Sequence, residues 1–245
     1  MADDGPTNAS LIGRLLEEIS WEGNRVKLYR RGGLGMENVL TTEVLSPLSY
    51  LPRQHFLGEV LRSAHGAEQA MAAVAEQIED ADVFILPPEL TLQPGGVIVQ
   101  PDAVIESTGS YVLVEAKRIR RASFQPEQLA REYLAGLREA RDRVPALLLI
   151  LGAPPPVMVK RHGLREINEA ISEHLPSLLA RSGADDEDIS ELVTGIPEVV
   201  SWITWAEIDE IVRRQLGVLE VNDPSLRRTI ERLAGAIASA IEIHT

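Results

Sequence analysis

The stretch from Val97 to Leu151 restricts this chain more than any other part of it. Val97–Ile105 and Tyr111–Glu115 are dense in β-branched and aliphatic residues. They flank Ser107-Thr108-Gly109-Ser110, a sequence suited to a tight turn, so the two runs predict a β-hairpin. An amphipathic helix follows, with Leu129, Tyr133, Leu137 and Ala140 recurring at helical spacing. Next comes Ala146–Leu151, an unbroken apolar run of the kind that forms a buried central strand. Hairpin, helix and buried strand in that order predict an α/β layer fold with a mixed sheet flanked by helices.

The rest of the chain reads mainly as helix. Residues 9–20 carry Leu11, Leu15, Leu16 and Ile19 at helical spacing, with Asn8 or Ser10 as N-cap. A loop ending in Gly32-Gly33-Leu34-Gly35 lacks the Lys-Ser/Thr of a phosphate-binding loop. Helices are expected over Glu37–Ser46, stopped by Pro47, and over Arg53–Ser63 and Ala67–Ile78. Val83–Leu86 reads as a strand. Leu164–Ala180, Trp205–Leu216 and Pro224–Ile243 read as further helices, with a short strand near Val199–Ile203. The acidic stretch Gly183–Glu191 reads as a surface insertion or linker. We find no internal repeat. The expected organisation is a single domain over 1–245, with a core at about 37–151, extra N-terminal helices and a C-terminal helical extension at about 160–245.

Composition removes several function classes. The chain is 44% hydrophobic and 25% charged and has no cysteine, which excludes a disulfide framework and any thiolate metal site. No stretch reaches the roughly 18–20 uninterrupted apolar residues of a membrane span. The opening residues are acidic and polar, unlike a secretory or transit peptide, so a cytoplasmic location is expected. The net charge of −13 argues against a protein that simply coats nucleic acid. Charge is uneven, however. From Lys117 to Arg143 there are eight basic residues against four acidic ones, and Arg25, Lys27, Arg30 and Arg31 form a second basic island. Such islands suit either a solvated face or a phosphate-binding surface.

The chemistry sits on the hairpin. If the turn is centred between Thr108 and Gly109, paired residues have numbers summing to 217, so Asp102 faces Glu115. Directly opposed residues have Cβ atoms about 4.5–5.5 Å apart. Two carboxylates at that distance require a shared proton, a cation or a basic side chain between them. Lys117 lies two positions beyond Glu115 and projects from the same face. A hard divalent cation such as Mg²⁺ favours carboxylate oxygens of this kind and shares its coordination with substrate phosphate. The same three residues also suit a surface cluster at a hairpin end, held by one salt bridge.

Pro101-Asp102 followed by Glu115-Ala116-Lys117 at the end of an aliphatic strand resembles the signature of the PD-(D/E)XK nuclease superfamily. Glu37-Asn38-Val39-Leu40-Thr41 resembles the E-N-x-L-T start of that family's first core helix. Gln128-Leu129 resembles its Q-L element, with Gln125 a rival for the Gln. Recombination-type members place Tyr four residues after this Gln; here Glu132 takes that place and Tyr133 follows. The resemblance spans about residues 37–151. It implies a restriction-endonuclease-like core and a metal-dependent nuclease that hydrolyses phosphodiester bonds, most naturally a DNA endonuclease in microbial defence, restriction or repair.

By the same resemblance Asp102, Glu115 and Glu37 would bind Mg²⁺, with Mn²⁺ as a substitute. Lys117 would assist the attacking water, and Gln128 would support the site. Glu43 is the alternative to Glu37. Arg118, Arg120, Arg121 and Arg131 are the candidate nucleic-acid contacts. The expected partners are DNA and a homodimer mate or a second protein. The competing expectation is a catalytically silent nuclease-fold subunit used for binding or assembly. Tyr133, Trp202 and Trp205 read as core residues. The five histidines form neither HExxH nor any zinc spacing.

Overall fold

A computed structural model describes residues 35–92, 95–120, 122–182 and 188–244. The helix expected over 9–20, the basic island Arg25–Arg31 and the acidic stretch at 183–187 lie outside the described residues. The elements run in order as α1 (Gly35–Tyr50), α2 (Leu57–Ser63), α3 (Glu68–Glu76), β1 (Asp82–Ile85), β2 (Leu90–Leu92), β3 (Val97–Val99), β4 (Ala103–Glu106) and β5 (Ser110–Ala116). They continue with α4 (Gln128–Ala140), β6 (Val144–Leu151), β7 (Val157–Val159), β8 (Gly163–Arg165), α5 (Ile167–Ser182), α6 (Ile189–Val199), β9 (Val200–Thr204), α7 (Trp205–Val218) and α8 (Pro224–His244).

Five strands form the central sheet in the order β1-β4-β5-β6-β9. β1, β4 and β5 pair antiparallel, whereas β5, β6 and β9 pair parallel, so the sheet is mixed. The strand parity of β5 and β6 divides the interior in two. Val112, Val114, Ala116, Ala146, Leu148 and Ile150 pack with α1, α2, α3, α7 and α8. Leu113, Leu147, Leu149 and Leu151 pack with α4, α5 and α6 on the other face. The result is a three-layer α/β arrangement with β5 and β6 buried on both sides, which is why β6 is apolar without alternation. Among the described residues no helix is long and apolar enough to cross a membrane.

The hairpin register matches the turn arithmetic: Ala103 pairs with Val114 and Ile105 with Val112. Gln77, the residue that caps the C-terminus of α3, fixes the turn from outside. Its side-chain oxygen accepts hydrogen bonds from Ser107 Oγ at 2.8 Å and from the Gly109 N–H at 3.1 Å.

Several expected boundaries shift. Val97–Ile105 is two strands, because Pro101 offers no N–H to a ladder, and β3 pairs with β2 in a separate hairpin. Pro47 does not end α1. It falls in the last turn, its carbonyl still accepts from the Leu51 N–H, and Leu48 and Leu51 are buried beyond it. The start of the expected helix at Leu164 is instead the β7–β8 hairpin. Part of the expected linker is α6, whose N-cap Asp188 accepts from the Ser190 and Glu191 N–H groups.

Candidate metal centre

The centre lies where the parallel pair β5/β6 ends, beneath the first turn of α4, the helix that crosses between them. Carboxyl ends of parallel strands are the usual place for a site in an open α/β sheet. Glu115 and Lys117 have the parity of Leu113 and so face the α4 layer. Asp102 lies one residue outside the β4 ladder, in register with Glu115, and its N–H donates to Val114 O at 3.1 Å.

Lys117, Glu115 and Gln128 are linked side chain to side chain, and Asp102 is held on the backbone of the same strand. Asp102 Oδ2 accepts a hydrogen bond from the Ala116 N–H at 2.7 Å, which fixes the carboxylate against the strand carrying Glu115. Lys117 Nζ donates to Glu115 Oε1. Gln128 Nε2 donates to the same oxygen at 2.5 Å, while Gln128 Oε1 accepts from the Gln125 N–H at 3.2 Å. The amide is thus aimed by its own N-terminal turn, and Gln125, the rival, contributes backbone rather than side chain. Lys117 is anchored at both backbone ends. Its N–H donates to Ile150 O at 2.7 Å, and its carbonyl accepts from the Trp205 indole N–H at 2.7 Å. Its ammonium also stands 5.0 Å from the centroid of the Phe124 ring.

Burial decides between the two readings of this cluster. Asp102 is 8% exposed, Glu115 3% and Lys117 6%, so this is an interior set and not a surface salt bridge at a hairpin end. Interior carboxylates are retained at a cost in stability unless paired or ligated.

A fourth charged group belongs to the set and was not singled out as a site residue from the sequence. Glu132, four residues after Gln128 on α4, is 3% exposed and lies within hydrogen-bonding reach of Gln128 and Glu115. Burial pushes its carboxyl up to about 7, against the pull of Lys117 and the Gln128 hydrogen bond and with the help of Asp102. Its Oε2 is buried and has no hydrogen-bond partner among the described residues. The available signal was an acid at helical spacing from Gln128, inside a stripe otherwise made of Leu129, Tyr133 and Leu134.

The remaining candidates fall as follows. Glu37 lies in the first turn of α1, but its side chain is outside the described part of the structure. Thr41, one turn on, is fully buried. Glu43 faces the C-terminal helix, with Oε2 3.7 Å from His244 Nε2. Arg118 and Arg131 are half-buried and Arg120 is exposed; Arg121 lies outside the described residues. Tyr133 is core, as expected: its hydroxyl donates to Leu192 O at 2.7 Å. Burial, then Glu198, pushes its pKa up to about 12.

The basic run Lys117–Arg143 divides in space. Lys117, Arg118 and Arg120 stand near the start of α4, whereas Arg141 and Arg143 lie past its far end, about 20 Å away at ~1.5 Å per residue. There Arg143 pairs with Glu106 and covers the Tyr111 ring.

A cleft of about 450 Å³, lined among others by Lys117, Arg118, Phe124, Gly152 and Met158, opens beside the centre. Gly152 shapes it. A Cβ there would lie 2.3 Å from Ile119 O, so only glycine lets the chain leaving Lys117 pass the end of β6. Away from the centre, the fold gathers His162, Glu173 and His174, with ligand atoms within 4.8 Å of one another. Sequence spacing did not show this group, since a hairpin and a helix supply it; Glu173 also faces Arg165 Nε at 3.8 Å.

Comparison with known proteins gave no matching family model, no matching curated protein and no matching solved structure.

Proposed function

We propose that this chain is a divalent-metal-dependent phosphodiesterase of the PD-(D/E)XK type, with a restriction-endonuclease-like core and DNA as its substrate. The observation that carries the reading is the convergence of Asp102, Glu115, Lys117 and Gln128 in one buried cluster at the end of β5.

The donor set fits Mg²⁺ or Mn²⁺. It offers hard carboxylate oxygens from two adjoining strands and neither thiolate nor imidazole. When bound, such an ion neutralises charge on the scissile phosphate and lowers the pKa of a coordinated water.

The chain's own residues do the positioning. The Ala116 N–H holds Asp102, and Gln128 with Lys117 holds Glu115. Lys117 has a buried ammonium that can orient the attacking water or meet charge developing on the phosphate. The Trp205 and Ile150 contacts fix the backbone from which it acts. Arg118, Arg120 and Arg131 would supply nearby positive charge for a polyanion, and Arg121 belongs to the same proposed contact set.

The test is cleavage of plasmid DNA with Mg²⁺ or Mn²⁺ by the purified full chain, with Lys117→Ala, Asp102→Ala and Glu115→Ala variants whose fold is checked by circular dichroism. All three variants are expected to lose at least ~10²-fold in rate. Full activity in Lys117→Ala, with loss in the other two, would overturn the role given to Lys117. The second reading, a silent binding or assembly subunit, is favoured by the net charge of −13. It predicts no cleavage and no measurable affinity for divalent ions.

A further inference from the structure

Glu132 has no part in the reading above, yet its position calls for an explanation. It stands on the apolar face of α4, between Leu129, Tyr133 and Leu134, all of them buried. An acid there gives up packing volume and hydration together. Because it follows Gln128 by four residues, the two side chains share one face of the helix, the face turned toward Glu115. Glu132 meets Gln128 and Glu115, while its Oε2 has no hydrogen-bond partner among the described residues although it is fully enclosed. Buried carboxylate oxygens without donors are rare in folded proteins, and each calls for a specific cause.

A buried carboxylate oxygen without a donor is the kind of atom that a divalent ion takes.

We propose that Glu132 is a third carboxylate ligand of the centre, supplied by the helix and acting with Asp102 and Glu115 from the strands. The inference rests on the metal-centre reading of the site. On this view the acid in the position four residues after Gln128 is a working part of the centre, and α4 contributes both the amide that orients Glu115 and a ligand of its own. The ion then joins the helix layer to the sheet, and it keeps fewer of its waters than a two-carboxylate site would leave it.

The experiment uses the full chain and two probes, Mn²⁺ by calorimetry and Eu³⁺ by luminescence lifetimes in H₂O and D₂O, which count coordinated waters. Wild type, Glu132→Gln and Asp102→Asn are compared, with melting curves to establish folding and Glu132→Ala in reserve should the glutamine variant not fold. Glu132→Gln is expected to weaken Mn²⁺ by at least about tenfold, as removal of one charged ligand should, and to add about one water to bound Eu³⁺. Unchanged affinity and hydration in Glu132→Gln, with Mn²⁺ binding lost in Asp102→Asn, would overturn the role of Glu132 and leave the centre standing. A wild-type chain that binds neither probe would overturn the centre, and the Glu132 inference with it.

Discussion

Replacing Glu132 with glutamine isolates a single proton in the metal-free centre, and its effect on stability can be worked out beforehand. The folded chain holds this carboxyl at about 7, mainly through burial, against an ordinary value of 4.5. Between those values the folded state keeps a proton that the unfolded state has already lost. The stability contributed by this group is therefore full below about pH 4.5 and is lost as pH rises through about 7. At about 1.4 kcal/mol per pH unit the whole decline is about 3 kcal/mol. Glu115 lies within hydrogen-bonding reach, so the titration belongs to the pair, and glutamine removes the protonating member without changing its shape. Urea unfolding in EDTA, at intervals from pH 5 to pH 8, measures the effect. Relative to wild type, Glu132→Gln should gain up to about 3 kcal/mol across that range, with most of the gain between pH 5 and 7. Parallel pH profiles for the two proteins would refute the reasoning, because they would show that no proton at Glu132 is linked to folding.

Two further outcomes test the surroundings of the centre. Gly152→Ala should cost about 1–3 kcal/mol by overpacking and should depress cleavage by displacing the segment after Lys117. Gly217→Ala on α7, where the added methyl meets open space, is the control and should stabilise by up to ~1 kcal/mol in melting curves. If Arg118, Arg120, Arg121 and Arg131 are the DNA contacts, anisotropy titrations should give a salt slope of about −3.6, or roughly 150-fold weaker binding between 50 and 200 mM salt. A much steeper slope would mean that other basic residues take part.

How legible the site was depends on how local each part of it is. The hairpin register follows from one turn, since a two-residue centre fixes every pair out to Asp102 and Glu115. The buried β6 was equally plain, because an apolar run enclosed on both faces needs no period to be recognised. The three-residue strands β2, β3, β7 and β8 are too short to show any period. The break at Pro101 depends on which edge of the hairpin pairs with β1, a tertiary fact. Asp188 read as part of an acidic linker, although the same acid is also a helix N-cap. Glu132 shows the limit most clearly. Its spacing from Gln128 was visible, but its meaning required knowing that this helix face lies over the carboxyl end of β5. The union of His162 with Glu173 and His174 required the same kind of knowledge, since the β7–β8 connection and α5 had first to be brought together.

The energetics of the centre bear on whether it has a use. A buried ion pair is seldom worth more than apolar residues of the same volume, and here Asp102, Glu115, Lys117 and Glu132 are all buried where α4 packs on the sheet. Leucine or methionine at Glu115, Glu132 and Lys117 would extend the contacts already made by Leu113, Leu149 and Tyr133. A module that used this face only for packing or assembly would have no physical reason to place the acids there, whereas on the proposed reading a divalent ion would give them one. On the proposed reading an ion at the centre would neutralise the reacting phosphate, Arg118, Arg120 and Arg131 would hold the backbone, and a chain of −13 would engage a polyanion once the ion is in place. Apparent DNA affinity of the full chain should therefore rise when Ca²⁺ is added in place of EDTA, and Asp102→Asn should remove that rise.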